Sequence, residues 1–363
     1  MSGDADVRVG VIGTGFGAET LMPAFAATPG IRIDAVCSAR IDRAEAAAAR
    51  FGATTAVDDY RRVVAMKELD LVCVCTPPPL HAAMTMDVLD AGHHVFSTKP
   101  LATTLPEATA LRDRARDLKV VTAMDLDQRY EPVRRYSREL VRDGYLGDLR
   151  FVVLTLMEGY TTDPSAHLYY WNWVSQLSAG GGILGASLLN HHLDLLRYTF
   201  GDIESVGGVV STLVTDKPVL PPGTDSHHPV GDPGTLERKP VDTEDAVALQ
   251  GRFAGGGLFT AAASWSVRHP SGVRVEAYGS DGTLVLEPSG RLLGGTKHDG
   301  ELTELAVPDR LHLADLGSVR ISRFSLLAKD LVTALTGGGG DPLFATFDDA
   351  LRLREIAYQV LGR

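Results

Sequence analysis

Short apolar runs alternate with amphipathic stretches over residues 7–124 of the chain. Apolar runs without polar alternation are typical of strands buried on both faces, whereas apolar positions spaced by three and four residues indicate helices. Strands are predicted at 7–12, 31–37, 54–56, 69–75, 94–97 and 119–124, and helices at 18–27, 43–51, 80–91 and 105–118. This alternation predicts an α/β fold with a parallel, doubly wound sheet.

The pattern changes near residue 149, where strand-like runs follow one another with glycine-rich turns between several of them. Strands are predicted at 149–157, 206–214, 246–253, 257–266, 273–279 and 283–286, and helices at 132–143, 188–200, 322–335 and 347–361. We therefore predict an α+β second domain with a mostly antiparallel sheet, and divide the chain into 1–125 and 126–363. The segment 216–242, rich in Pro, Gly and His, predicts a long surface loop that is mobile or partly disordered.

The sequence GTGFGA follows the first predicted strand directly. Gly13, Gly15 and Ala18 have the spacing of a dinucleotide-binding fingerprint with alanine at its third small position. Glycine at 13 permits a tight turn, glycine at 15 lets a pyrophosphate approach the backbone, and alanine at 18 lets the helix lie close to the strand. The free N–H groups at the start of that helix favour a phosphate. The predicted cofactor-binding turn comprises Gly13, Thr14, Gly15, Phe16 and Gly17.

Composition narrows the class of protein. The 363 residues suffice for two domains, and the formal charge of −11 argues against a nucleic-acid or anionic-membrane partner. No run approaches the ~20 apolar residues of a membrane span, and the N-terminus has no secretory pattern. Cys37, Cys73 and Cys75 lie in apolar runs, as buried thiols of a reducing compartment do. We predict a cytoplasmic protein, and no metal site, because the histidine pairs at 93–94 and 227–228 lack the spacing of zinc ligands.

The end of the second predicted strand bears on the choice of cofactor. NAD-specific sites place Asp or Glu there, about 20 residues past the glycines, to bind the ribose hydroxyls. In this chain Ser38 and Arg40 follow the strand, and Asp34 lies inside it, too early for that role. A hydroxyl and a guanidinium suit a 2′-phosphate, so NADP(H) is favoured over NAD(H).

Further motifs occur in a fixed order along the chain. They are TPPPLH at 76–81, AGHHVFSTKPL at 91–101, QRYEPVRR at 128–135, GYLGDLR at 144–150, GGGILGAS at 180–187, HHLDLLRYTFG at 191–201 and FDDALRLREIA at 347–357. In this order and spacing the chain resembles the glucose–fructose oxidoreductase / inositol dehydrogenase / rhizopine-catabolism (Gfo/Idh/MocA) family over nearly its whole length.

The resemblance implies a Rossmann domain followed by an α+β domain with an open-faced sheet. It also implies an NAD(P)-dependent oxidoreductase of sugars, polyols or related small molecules, and a homodimer or homotetramer formed through that sheet. The last helix, 347–361, is expected to dock on the first domain, and its apolar Leu351, Ile356 and Val360 suit such docking.

Lys99 matches the lysine of the family's Glu-Lys-Pro motif, which in similar enzymes lies beside the nicotinamide and hydrogen-bonds the substrate oxygen. Here Thr98 replaces the glutamate. A lysine in a partly dry cleft has a lowered pKa and can transfer a proton. By the same resemblance Thr76, Pro77 and His81 are expected to contact the cofactor.

The resemblance also implies a catalytic histidine in the helix 188–200. Counting back from Asp194 gives His191 as the acid/base, with Ser187 in the place of the family's carboxylate, whereas counting forward from the glycines gives Asn190. We assign His191 and keep His192 as its rival. Either Ser187 or Asp194, which is three residues after His191, is expected to orient the imidazole. The alternative is a histidine held in a helix interface.

Asp125 and an aromatic segment are weaker candidates for substrate binding. Asp125 follows the last strand of the first domain, where ligands of such sheets bind; it either pairs with Lys99 or caps the next turn. Tyr160 and Trp173 bound an aromatic, polar run whose rings suit a sugar, although packing beneath a loop is an equal alternative.

The sequence therefore predicts hydride transfer between a nicotinamide and a carbonyl or secondary alcohol of a sugar-like or other small molecule. Two alternatives remain at this point. The first is a dinucleotide-bound enzyme with imine-reducing chemistry or no net oxidation, and the second is a non-catalytic cofactor-binding subunit.

Overall fold

A computed structural model describes residues 6–186, 188–221, 224, 232–338 and 342–362, with backbone alone for 186 and 188–190. The chain forms two compact units. The first holds Met1–Glu131 and Leu313–Arg352, and the second holds Pro132–His312 and Leu353–Arg363.

Strands and helices are numbered in chain order. The strands are β1 (Val7–Ile12), β2 (Ile31–Cys37), β3 (Thr55–Val57), β4 (Leu71–Val74), β5 (His94–Ser97), β6 (Thr122–Met124), β7 (Leu149–Met157), β8 (Ile203–Ser211), β9 (Asp216–Pro218), β10 (Arg238–Pro240), β11 (Ala246–Phe253), β12 (Leu258–Ser264), β13 (Gly272–Gly279), β14 (Gly282–Leu286), β15 (Leu292–Thr296) and β16 (Thr303–Glu304). The α-helices are α1 (Met22–Ala26), α2 (Ile41–Phe51), α3 (Tyr60–Val64), α4 (His81–Asp90), α5 (Leu105–Leu118), α6 (Pro132–Arg142), α7 (Gly182–Ala186), α8 (Leu188–Phe200), α9 (Val319–Leu335) and α10 (Phe347–Leu361).

The sheet of the first unit has the strand order β3-β2-β1-β4-β5-β6, and every pair in it is parallel. The strand order reverses between β1 and β4, which is where ligands of doubly wound sheets bind. The predicted parallel fold is confirmed. Strands β4 and β6 are shorter than predicted, because the apolar Leu69, Cys75, Val120 and Val121 belong to the adjoining turns.

Helix α9 completes the core of this first unit. Phe324, Leu327 and Leu331 are fully buried in the same cluster as the β1 residues Val9 and Val11. The segment after α9 also packs here, since the Met124 N–H donates to the Ala345 carbonyl at 2.8 Å. The sequence assigns 313–352 to the second domain; the structure places it in the first unit, because its apolar side chains cover the β1 side of the sheet.

The sheet of the second unit has the order β16-β15-β14-β13-β7-β12-β11-β8 and is antiparallel except for the pair β7–β12. The predicted mostly antiparallel sheet is confirmed. Along β7, Val152, Leu154 and Leu156 are buried, whereas the residues between them are partly exposed. Helices α6 and α8 cover the buried face and leave a narrow cavity of about 50 Å³ against it. We call the other face of this sheet the open face.

The segment 216–242 differs from its prediction. Its two ends pair as the antiparallel strands β9 and β10, and Lys217 of β9 is buried. The long-loop prediction is therefore wrong for these ends, whose charged and proline-containing sequences hide their strand character. Residues 222–223 and 225–231, including His227 and His228, lie outside the described part of the chain.

Candidate functional site

The glycine-rich turn at the end of β1 is shaped by three close approaches. Gly13 has φ +107°, and a Cβ there would lie 2.3 Å from the Cys75 carbonyl oxygen. A Cβ on Gly17 would lie 3.0 Å from Val11 Cγ1. Gly17 thus lets the start of the helix lie close to β1, and the adjacent Ala18 packs against the same core.

The turn has room for a phosphate group at Gly15. No heavy atom lies within 4 Å of a Cβ built there, apart from the neighbouring residues of the turn. The Thr76 Oγ1, which follows β4, is buried and has no hydrogen-bond partner among the described residues. A bound dinucleotide needs space for its phosphates beside the backbone and a polar group to hydrogen-bond. Gly15 provides that space, and the buried Thr76 hydroxyl is such a polar group. The residues present therefore fit the predicted cofactor.

His81 connects the loop after β4 to the lysine segment. It is fully buried; its Nδ1 lies 2.6 Å from the Pro100 carbonyl oxygen and its Nε2 2.6 Å from the Thr76 carbonyl oxygen. Burial lowers the pKa of its imidazole, which the two carbonyls oppose. His81 thus holds two backbone segments in place. Pro77, four residues earlier in the chain, is exposed.

The residues expected to select the cofactor lie after β2. Thr14 Oγ1 donates to Ser38 Oγ at 3.0 Å, which ties the glycine turn to the end of β2. The exposed Arg40 guanidinium pairs with Asp42 at 2.6 Å. Asp34 is occupied by Arg8 and Arg32, at 2.5 and 2.7 Å, so this carboxylate is committed within the fold.

Lys99 lies two residues after β5 and is partly buried. Burial lowers the pKa of its ammonium group and Arg320 lowers it further, whereas Asp125 and Asp127 raise it. The preceding Thr98 is buried, with its hydroxyl 3.2 Å from His81 Nε2. The structure thus brings Lys99, His81 and Asp125 to the same edge of the sheet.

Two arginines of α9 reach this edge and were missed by sequence reasoning. The Arg320 guanidinium lies 3.8 Å from Asp125 and stacks 4.8 Å above the centre of the Phe16 ring. Arg323 pairs with Asp127 at 2.9 Å. Burial raises the pKa of Asp125 to about 7, although Arg320 and Lys99 oppose that rise. No local signal reveals these arginines, since their role depends on where α9 packs.

The histidine candidates belong to α8 of the second unit. His192 lines the narrow cavity against the sheet, together with Arg134 and apolar side chains, and burial holds its pKa well below the usual range. His191 and Asp194 are also buried, at 6% and 1% exposure. Ser187 lies outside the described residues, and the side chain of Asn190 is not described. The packing of His192 is that of a core residue.

Sequence reasoning also missed Glu244. Its carboxylate accepts the Leu184 N–H at 3.0 Å, and a Cβ on Gly182 would lie 2.3 Å from its Oε1. Glu244 therefore fixes the start of α7, just before α8.

The aromatic candidates of the second unit occupy different settings. Tyr160 lines an open pocket of about 400 Å³ with Glu158, Asp163, Arg268 and His269 among its other walls. Trp173 starts a short 3₁₀ turn and is partly buried. The pocket thus combines an aromatic ring with charged groups of both signs.

Two negative findings concern the described residues alone. They contain no group of three or more His, Cys, Asp or Glu side chains placed to hold a metal ion. None of their helices has both the length and the apolar character needed to cross a bilayer.

Two family models match this chain. The model of the oxidoreductase family with an NAD-binding Rossmann fold matches residues 7–126, and the GFO/IDH/MocA C-terminal domain matches residues 135–285. Together they span more than half of the 363 residues. The chain belongs to the Gfo/Idh/MocA family of oxidoreductases, as the sequence motifs predict.

Individual relatives agree with this assignment. Levoglucosan dehydrogenase of Pseudarthrobacter phenanthrenivorans is 29% identical over 290 residues, which cover 77% of this chain and 73% of the relative. D-glucoside 3-dehydrogenase of Escherichia coli is 33% identical over 196 residues, 54% of each chain. The fold is also that of levoglucosan dehydrogenase in complex with NADH and L-sorbose, with a TM-score of 0.85 at 24% identity over 98% of this chain and 96% of the other.

The protein is therefore an enzyme that binds a nicotinamide dinucleotide. Its reaction class is hydride transfer with a sugar-like or other small molecule. The predicted fold, family and enzyme class are confirmed.

Proposed function

We propose that this enzyme interconverts a secondary alcohol and a ketone on a sugar ring, with Lys99 as its principal proton-transfer residue. The observation that carries the proposal is the setting of Lys99, a partly buried lysine with a lowered pKa at the carboxyl edge of a dinucleotide-binding sheet. The names of the relatives, which act on levoglucosan and D-glucosides, support a pyranose-like substrate.

Lys99 would accept or donate the proton of the reacting oxygen. In alcohol oxidation its neutral amine accepts the hydroxyl proton; in ketone reduction its ammonium hydrogen-bonds the carbonyl oxygen and then returns that proton. The nicotinamide, when bound, accepts or supplies the hydride at the same carbon. Burial lowers the pKa of Lys99, which favours its neutral, proton-accepting form more than in an exposed lysine.

His191 is proposed as a second acid/base residue, with Asp194 orienting its imidazole. Its support is the family spacing and its burial on α8, together with the core position of His192. The dinucleotide would be held by the turn Gly13–Gly17, by Thr76 and by the loop that His81 supports.

The cofactor is proposed to be NADP(H) in preference to NAD(H). Ser38 and Arg40 support this choice, since no carboxylate stands at the end of β2 where NAD-specific sites place one. Arg40 would exchange its exposed partner Asp42 for the 2′-phosphate, at small cost because exposed ion pairs contribute little.

The pocket around Tyr160 is proposed as a sugar-binding subsite of the second unit. A tyrosine ring offers an apolar face, and Glu158, Asp163 and Arg268 offer hydrogen bonds to hydroxyl groups. Trp173 remains a second proposed contact.

A homo-oligomer formed through the open face is also proposed. Val209 and Leu258 lie on that face and are 70% and 40% exposed, and apolar surface of this kind favours a protein partner. Replacing Leu258 with arginine should give a monomer by light scattering. A cytoplasmic location stays a prediction, supported by three buried free thiols.

The test is a calorimetric titration with NADPH and NADH, followed by a panel of sugars and polyols with the preferred cofactor. We expect stoichiometric appearance of reduced nicotinamide with a sugar substrate, which excludes cofactor recycling. Lys99→Ala should lower kcat by about 10²–10⁴-fold while dinucleotide affinity is retained. The exposed Lys67→Ala is the matched control. Full activity in Lys99→Ala, or binding without turnover across the panel, contradicts the proposal.

A further inference from the structure

Thr98 cannot supply the negative charge that the family motif places before the lysine. Its hydroxyl donates to the Val74 carbonyl oxygen at 3.3 Å and lies 3.2 Å from His81 Nε2. These neutral contacts hold the backbone, so any carboxylate that acts on Lys99 must come from elsewhere.

The adjacent strand carries such a carboxylate at the equivalent level. In the parallel pair β5–β6, Ser97 is opposite Met124, so Thr98 and Asp125 are the next positions along the two strands. The Asp125 N–H donates to the Ser97 carbonyl at 3.0 Å, which fixes this register beyond the strand ends. Neighbouring strands lie about 4.8 Å apart. The carboxylate that the family motif places at position 98 is thus found one strand away, at Asp125.

The side chain of Asp125 is buried beside charged groups, with the Arg320 guanidinium 3.8 Å away. It is 3% exposed, and its Oδ1 has no hydrogen-bond partner among the described residues. The following 3₁₀ turn, Asp127–Tyr130, has Leu126 at its N-cap and no side-chain cap bond. The capping role considered in the sequence analysis is thus not the one that Asp125 fills. Burying a carboxylate that neither caps a helix nor joins a backbone hydrogen-bond network costs free energy of folding, unless the carboxylate interacts with a nearby positive charge.

We propose that Asp125 is the positioning residue that replaces the missing carboxylate of the Glu-Lys-Pro motif and sets the protonation state of Lys99, with Arg320 acting against it. This inference rests on the proposed role of Lys99.

The charges around this cluster have opposite effects on Lys99. Asp125 and Asp127 favour its ammonium form, and Arg320 disfavours it. Asp127 is held by Arg323 at 2.9 Å, with Glu131 also 3.6 Å from that arginine, so its charge is largely compensated. Among the described residues, Asp125 also acts on the buried Cys75 thiol and Lys99 acts on the His81 imidazole, although burial is the main cause of both pKa shifts. Asp125 and Arg320 are therefore the two groups whose removal moves Lys99 in opposite directions.

The experiment measures kcat/KM for sugar oxidation against pH at saturating dinucleotide. Oxidation requires neutral Lys99, so activity rises with pH through the pKa of that lysine. Asp125→Asn removes a negative charge and should move this limb to lower pH by about one unit. Asp125→Glu should leave the pH at which kcat/KM rises unchanged from wild type. Arg320→Gln should move this limb to higher pH, where Asp125 is ionised.

A measurement without cofactor or substrate keeps the test independent of turnover. Burial raises the pKa of Asp125 to about 7, above its value in an unfolded chain, so ionisation destabilises the wild type as pH rises from about 4 to 7. The melting temperature of Asp125→Asn relative to wild type should therefore increase across that range. Asp127→Asn, which breaks the Arg323 pair, should show no such gain.

The outcomes separate the two proposals. If Lys99→Ala is inactive but Asp125→Asn and Arg320→Gln leave the limb in place, Asp125 has no role in setting Lys99, although the proposed function stands. If Lys99→Ala keeps full activity, the proposed function itself fails. Opposite shifts in the two variants support the inference, because a merely structural loss would not reverse its sign.

Discussion

Gly13 lies against the carbonyl oxygen of Cys75 so closely that a side-chain carbon would come within 2.3 Å of that oxygen. Gly13→Ala should therefore destabilise the protein by about 2–4 kcal/mol, because φ +107° and the contact both oppose a side chain. Chemical denaturation without cofactor measures this loss.

Gly15→Ala is the matched variant, since nothing surrounds its Cβ position within 4 Å. Its stability without cofactor should stay within about 1 kcal/mol of wild type, while its dinucleotide Kd rises about tenfold or more. Unchanged dinucleotide affinity in Gly15→Ala would show that the phosphates bind elsewhere.

Phe324 couples the core of the first unit to the glycine turn. Its ring contacts Phe16 edge-on at 5.4 Å and Phe96 at 6.2 Å between centroids, and it is fully buried. Phe324→Ala should cost about 3–5 kcal/mol of unfolding free energy and also weaken dinucleotide binding through Phe16. The exposed Val319→Ala on the same helix is the control, and calorimetry measures both effects. Unaltered stability in Phe324→Ala would mean that α9 does not complete this core.

Arg40 should determine the preference for NADPH. Arg40→Ala is expected to weaken NADPH binding about tenfold and leave NADH binding unchanged, because the lost partner of the guanidinium is the 2′-phosphate. Asp42→Asn should tighten NADPH binding, since it frees Arg40 from its 2.6 Å pair. Arg43→Ala, also exposed, is the control. Tighter binding of NADH than NADPH by the wild type would contradict this prediction.

The two histidines of α8 should respond differently to substitution. His192→Leu places an apolar side chain in an apolar cavity, so we expect kcat to stay within a few fold of wild type. His191→Ala should lower kcat by about 10²-fold or more if this residue is the second acid/base. Steady-state kinetics at fixed dinucleotide saturation compares them, and the reverse ranking would exchange their roles.

Local sequence signals predicted the elements whose ends are fixed locally. Strand β5 and helix α5 match their predicted bounds, since the first is a short buried run and the second starts at a capping box formed by Thr104 and Glu107. Helix α3 and strand β15 were missed, because a five-residue helix and a glycine-containing strand carry little periodicity.

The candidate site was predictable only in part for a related reason. Gly13, Thr76 and Lys99 follow strands or lie in motifs, so their positions at the sheet edge follow from the order of elements. Arg320 contacts Phe16 although about three hundred residues separate them in sequence, and the local sequence around either residue does not predict that contact. The core position of His192 likewise depends on which face of α8 meets the sheet.

The packing of α9 has a consequence for how this protein is made. Strands β1 to β6 are synthesised long before Phe324. During that time one apolar side of the sheet in this nascent dinucleotide-binding half is not covered by α9. That half cannot mature ahead of the remainder, and a chain stopped before residue 313 would expose the surface that aggregation and chaperones act upon.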